Sequence, residues 1–130
     1  MSSSVTLDEF FDGAEHSREL FDALRAAIES IGDAELRVTK SQVAFRRRKA
    51  FSFKRQKAFA WAWIPGKYLR GKVAPLVLTL ALTRKDPSPR WKEVVEPAPG
   101  RFTHHLEIYS LDQIDDEVRQ WLREAWLEAV

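Results

Sequence analysis

Between residues 46 and 57 lie seven cationic side chains: Arg46, Arg47, Arg48, Lys49, Lys54, Arg55 and Lys57. Lys40, Lys67, Arg70 and Lys72 are near them in sequence, and Arg90, Lys92 and Arg101 follow later. A phosphate backbone calls for several cations on one surface, because each phosphate neutralised releases condensed counterions. Trp61, Trp63 and Tyr68 come directly after the cluster, and flat rings of this kind stack on nucleobases. The combination points to an anionic partner, nucleic acid first. Lys40, Arg46, Arg48, Lys54, Arg55, Lys57, Arg90, Lys92 and Arg101 are the residues that would hold it. The alternative for the same cations is a solvated strand surface whose charge keeps sheet edges from pairing with other chains.

A second group of residues suggests different chemistry. His104 and His105 are adjacent, so on a strand they point to opposite faces. His105 then shares a face with Glu107 and Tyr109, and two of these are metal-ligating types. A third ligand is not evident, and Cys is absent, so no metal or other cofactor is expected. Acid–base work by His105 would need a reacting group beside it, and no nucleophile is placed there by the sequence. Asp86, Glu93 and Glu96 are the only acids between residues 36 and 106, which gives a nuclease-type metal site little to build on. The reading that remains is a small-molecule pocket or enzyme. It would be assembled from the 84–102 segment, His105 and the aromatic strands, with Trp61, Trp63, Trp91 and Glu107 as candidate lining. Pro87, Pro89, Pro97 and Pro99 stiffen that segment. Trp91 is expected to anchor it in the core and to present Arg90, Lys92 and Arg101 outward.

These residues must be positioned by elements that hydrophobic periodicity discloses. Thr6-Leu7-Asp8-Glu9 has capping-box spacing before Phe10 and Phe11. From Ala14, the residues Leu20, Phe21, Leu24, Ile28 and Ile31 form one stripe at helical period, and Gly32 is the expected stop. From Leu36 the period becomes two. Val43, Phe45, Phe51, Phe53, Phe59, Trp61 and Trp63 share odd parity, with small or basic residues between them, so all seven are expected on one face. Leu76, Leu78, Leu80 and Leu82 alternate with Val77, Thr79, Ala81 and Thr83, and a last strand covers about His104–Tyr109. A final helix begins after Ser110 or Asp112, either of which can cap it, and buries Ile114, Val118, Trp121, Leu122 and Ala125. The expected architecture is α+β: helix, about five antiparallel strands, helix, with both helices on one sheet face.

The 130 residues suit one domain, with residues 1–13 as a partly flexible lead-in. A net charge of +2 conceals strong segregation. Residues 1–36 carry 2 basic and 9 acidic side chains, residues 37–101 carry 17 and 3, and residues 102–130 carry 2 and 7. A basic middle between acidic ends also permits self-association, the acidic helices of one copy docking on the basic sheet of another. No apolar run approaches the roughly 20 residues that span a bilayer, so no membrane partner is expected. No signal-peptide pattern opens the chain, and with Cys absent a cytoplasmic location is the simplest expectation.

Two stretches are similar to a known family. Val38-Thr39-Lys40-Ser41-Gln42-Val43-Ala44-Phe45, followed by Phe51, resembles the first strand pair of a bacterial family, domain of unknown function 5655. Thr103-His104-His105-Leu106-Glu107-Ile108, then Leu111 to Val118 and Leu122 to Trp126, resembles its last strand and helix. The resemblance runs from about Phe10 to Trp126. It implies a small α+β domain, free-standing or fused to other domains, including predicted restriction-type nucleases. Such company implies an accessory role near nucleic acid, and by fold analogy alone it carries no chemistry.

Overall fold

Thr6 accepts a hydrogen bond from the Glu9 backbone N–H at 3.1 Å while the Glu9 side chain accepts from the Thr6 backbone N–H at 3.1 Å. This reciprocal cap starts α1 (Leu7–Phe10) in the computed structural model, which describes residues 5–47 and 57–129. Within the expected lead-in, Phe10 and Phe11 are thus tied down and buried. Next come α2 (Glu15–Ile31), β1 (Ala34–Val38), β2 (Val43–Arg47), β3 (Ala58–Trp63) and β4 (Leu76–Leu82). β5 (Glu93–Ala98), β6 (Arg101–Ile108) and α3 (Asp116–Glu128) complete the chain. The fold is α+β, and the strands form one sheet in the order β1-β2-β3-β4-β6-β5, every pair antiparallel. None of the helices among the described residues is long and apolar enough to cross a membrane.

The sheet has six strands where the periodicity suggests about five. The extra one is β5, inside the Pro-rich 84–102 segment. It forms the sheet edge, where Pro97 costs no interior ladder bond. Ala98 pairs with Arg101, which leaves Pro99 and Gly100 as the turn, and Gly100 has φ +73°. Pro followed by a residue at positive φ is the combination a type II turn requires.

Both helices pack on one face of the sheet. α2 contributes Leu20, Phe21, Leu24 and Ile28 to the core, and α3 contributes Val118, Trp121, Leu122 and Ala125. Phe21 stacks on Phe45 of β2 with ring centres 5.8 Å apart. Leu76, Leu78, Leu80 and Leu82 all reach this side and are at most 1% exposed. Burying each such side chain contributes about 1.5–3 kcal/mol. The cap of α3 is Asp115, whose carboxylate accepts from the Val118 N–H at 3.1 Å. Ser110 precedes a short 3-10 turn instead, and Asp112 lies within that turn.

One expectation about the sheet is overturned. Phe45 pairs with Ala60 but Arg46 pairs with Ala58, so Phe59 is the extra residue of a bulge. A bulge moves every later residue of the strand to the opposite face from the one that simple alternation assigns. Phe59 lies in the helix-side core at 2% exposure, whereas Trp61 and Trp63 stand on the face the helices leave open. Phe51 and Phe53 lie outside the described residues.

Candidate functional site

The open face carries a concave site of about 710 Å³. Its floor is built from three neighbouring strands. Trp61 pairs with Thr79 and Trp63 with Val77 across β3 and β4, while Thr79 pairs with His105 across β4 and β6. Alternation then places Trp61, Trp63, Thr79, Thr103 and His105 side by side. Three turns build the rim. In the β1–β2 turn, Thr39 Oγ1 accepts from the backbone N–H of Ser41 and Gln42 at 3.4 and 3.3 Å, which sets both residues at the mouth. After β3 a 3-10 turn at Pro65–Lys67 places Tyr68, held by its N–H to the Pro65 carbonyl at 3.0 Å. The Pro99-Gly100 turn brings Pro97, Ala98 and Arg101 to the third side.

Inside the site a short hydrogen-bonded chain links three side chains. Trp63 Nε1–H donates to Thr79 Oγ1 at 3.1 Å, and Thr79 Oγ1 lies 2.8 Å from His105 Nδ1. Thr79 is 7% exposed. Donation of the Thr79 hydroxyl proton to Nδ1 corresponds to the neutral His105 tautomer that carries its proton on Nε2. Burial pushes the His105 pKa down, and the Glu93 carboxylate across the strand pair only partly offsets that. At neutral pH the ring is therefore uncharged and offers a single N–H donor.

His104 does the opposite on the opposite face. It is fully buried, accepts from the Asp86 backbone N–H at Nε2 (3.0 Å) and donates from Nδ1 to the Phe102 carbonyl (3.2 Å). Burial also depresses its pKa. Asp86 organises the segment after β4. Its carboxylate accepts from Trp91 Nε1 at 2.9 Å, the Ser88 N–H at 3.1 Å and Arg84 at 2.7 Å. Burial pushes its carboxyl pKa up, but these hydrogen bonds and the Arg84 charge outweigh that and hold it below the usual range. Trp91 is buried, 4.2 Å from the Trp121 ring and 4.8 Å from His104. Asp86, His104 and Trp91 thus form a saturated structural network.

The structure distributes the other sequence candidates unevenly. Of the pocket set, Trp61, Trp63 and His105 come together, while Trp91 lies beneath the sheet in the core. Glu107 shares the open face, where Lys92 pairs with it at 3.6 Å. Of the cations, Arg101 is at the rim of the site, Lys40 is exposed at the β1–β2 turn, and Lys57 is exposed at the start of β3. Arg46 is on the open face beside the pocket. Arg90 is not presented outward as expected: it is held by Asp115 at 2.9 Å and Glu117 at 2.8 Å. Arg48, Lys54 and Arg55 lie outside the described residues. Arg47 belongs to the fold, since it donates to the Trp126 and Leu127 carbonyls at the end of α3 and lies 4.0 Å over the Trp126 ring. Among the described residues, no cluster of three His, Asp or Glu is arranged to hold a metal ion.

Thr79, Gln42, Thr103 and Arg37 were not singled out by sequence. Thr79 alone left a trace, a hydroxyl on the face of β4 opposite its leucines. Reading it required the strand pairing. No curated protein and no solved structure matches the chain. A family model does match, over residues 7–128, and it is described as Domain of unknown function (DUF5655). With nearly the whole chain covered, and with the helix, antiparallel sheet and helix in place, the protein belongs to the DUF5655 family.

Proposed function

We propose that this domain is a non-catalytic binding module whose ligand is anionic and carries flat rings, as nucleic acid does, and that the ligand docks on the open face of the sheet. The observation that carries this reading is the site of about 710 Å³ between Trp61, Trp63, Tyr68 and His105, with Arg101 on its rim. Its size is typical of ligand sites. Indole faces supply stacking worth about 1–3 kcal/mol per base, and Arg101 and Lys40 supply charge that tracks a backbone. His105 has its Nδ1 occupied by Thr79, which suits a positioned donor for a ring acceptor better than a proton shuttle. An accessory role near nucleic acid agrees with this chemistry.

The same pocket supports a second reading, a small-molecule site, because its floor is predominantly apolar and aromatic. Fluorescence anisotropy with labelled single-stranded DNA, RNA and duplex DNA separates the two. Bases reach the indoles only when unstacked, so single strands should bind more tightly than duplex, and affinity should fall between 50 and 200 mM salt. No binding of any of the three at low salt would reject nucleic acid and leave the small-molecule reading.

A further inference from the structure

Next to the ring pocket is a second, smaller cavity of about 180 Å³, lined by Arg37, Thr39, Gln42, Ala44, Arg46, Ala58 and Trp61. Gln42 and Trp61 line both, so the two adjoin. This cavity is below the range of sites that enclose a drug-sized ligand, roughly 300–1,000 Å³. It is nonetheless roomy enough for a single tetrahedral group. Its chemistry is cationic. Arg37 pairs with Ala44 and Arg46 lies two residues along β2, so the two guanidinium side chains are diagonal neighbours on one face. Arg46 Nε is buried and has no hydrogen-bond partner among the described residues. Burying an N–H of a charged group without an acceptor is costly, and native structures seldom leave it so. Glu35 stands directly across from Arg46 on β1, which offsets part of the local charge and makes the second guanidinium, Arg37, necessary for an anion.

We infer that Arg46 and Arg37 form a phosphate subsite at the end of the ring pocket, so that the unit recognised is one nucleotide, its base against Trp61 and its phosphate on the two guanidinium groups. This rests on the ring pocket being the ligand site. A planar guanidinium offers paired N–H donors that match phosphate oxygens, and Arg46 Nε supplies one of them from a fixed strand position. A free nucleotide and one link of a single strand present the same chemistry.

Calorimetric titration with a nucleoside, its 5′-monophosphate and a short single-stranded oligonucleotide tests this in wild type, Arg46→Gln and Arg37→Gln. Wild type should bind the monophosphate at least tenfold more tightly than the nucleoside. That gain should shrink several-fold in Arg37→Gln and vanish in Arg46→Gln, with nucleoside affinity unchanged. If the variants weaken only the oligonucleotide, the phosphate is that of a polymer; if they weaken the monophosphate too, a free nucleotide suffices. Both outcomes support the subsite. Arg37 is exposed, so Arg37→Gln remains a fair test even if Arg46→Gln fails to fold. Variants that keep wild-type affinity for both the monophosphate and the oligonucleotide would overturn the subsite while leaving the ring pocket intact. A wild type that binds none of the three probes would instead remove the pocket reading, and the subsite with it.

Discussion

Trp91 ties the segment after β4 to the core through its ring and through its N–H on Asp86. An indole among four prolines with cations on either side looks like an anchor, and it is one: 8% exposed, against Trp121, with its N–H on Asp86. Replacing it by Ala should cost about 3–5 kcal/mol in unfolding free energy, read as a large drop in denaturation midpoint. Trp91→Phe should cost less, about 1–3 kcal/mol, since the ring stays and the Asp86 carboxylate loses one donor. A fully stable Trp91→Ala would refute the anchor role. The same residue was also a candidate pocket wall, and the structure puts it on the helix side. Sequence distance along a loop does not say which face of a sheet the loop packs against. Arg90 illustrates the same limit, because its partners Asp115 and Glu117 are 25 and 27 residues away.

At the scale of elements, the join between α2 and α3 is the tightest steric constraint. A Cβ at Gly32 would collide with the Trp126 ring. That ring is fixed by its N–H to the Asp33 carbonyl at 3.0 Å and by Arg47 stacked on it. Gly32→Ala should therefore destabilise by about 1–3 kcal/mol through overpacking, and pairing it with Trp126→Phe should recover part of the loss in chemical denaturation. Loss-free substitution would mean that the ring yields freely. Gly32 as the stop of α2 was legible, as were both long helices and the leucine strand β4, because a sustained period of 3.6 or 2 survives any tertiary context. The bulge at Phe59 was not. It is a single inserted residue with no Gly to mark it, and it reverses the faces of Trp61 and Trp63. β5 was hidden for another reason: Pro97 within it and the prolines on either side read as loop, and only pairing to β6 makes it an edge strand. The candidate site depends on both features, which is why its members were named while its walls were not.

Across the whole molecule, the segregated charge of the sequence resolves into two roles. Part of the basic middle serves the fold: Arg47 at the end of α3, Arg84 on Asp86 and Glu124, Arg90 on the start of α3, and Lys67 on the Phe10 carbonyl and ring. These contacts join the basic centre to the acidic terminal helices within one chain. Arg37, Arg46 and Arg101 are left along the open face, with Lys40 exposed at the β1–β2 turn, whereas Lys57 lines a separate cavity with Ala125 and Glu128 of α3. The helices and the open face are thus on opposite sides, and the five tryptophans report on the two sides separately. Trp61 and Trp63 are on the open face, and Trp91, Trp121 and Trp126 are on the helix side. The most direct test follows the five indole N–H resonances by nitrogen–proton correlation NMR while a single-stranded oligonucleotide is added. The indole signals of Trp61 and Trp63 should move together and saturably, and those of Trp91, Trp121 and Trp126 should stay in place. Movement confined to the helix-side indoles, or no movement at all at low salt, would contradict binding on the open face.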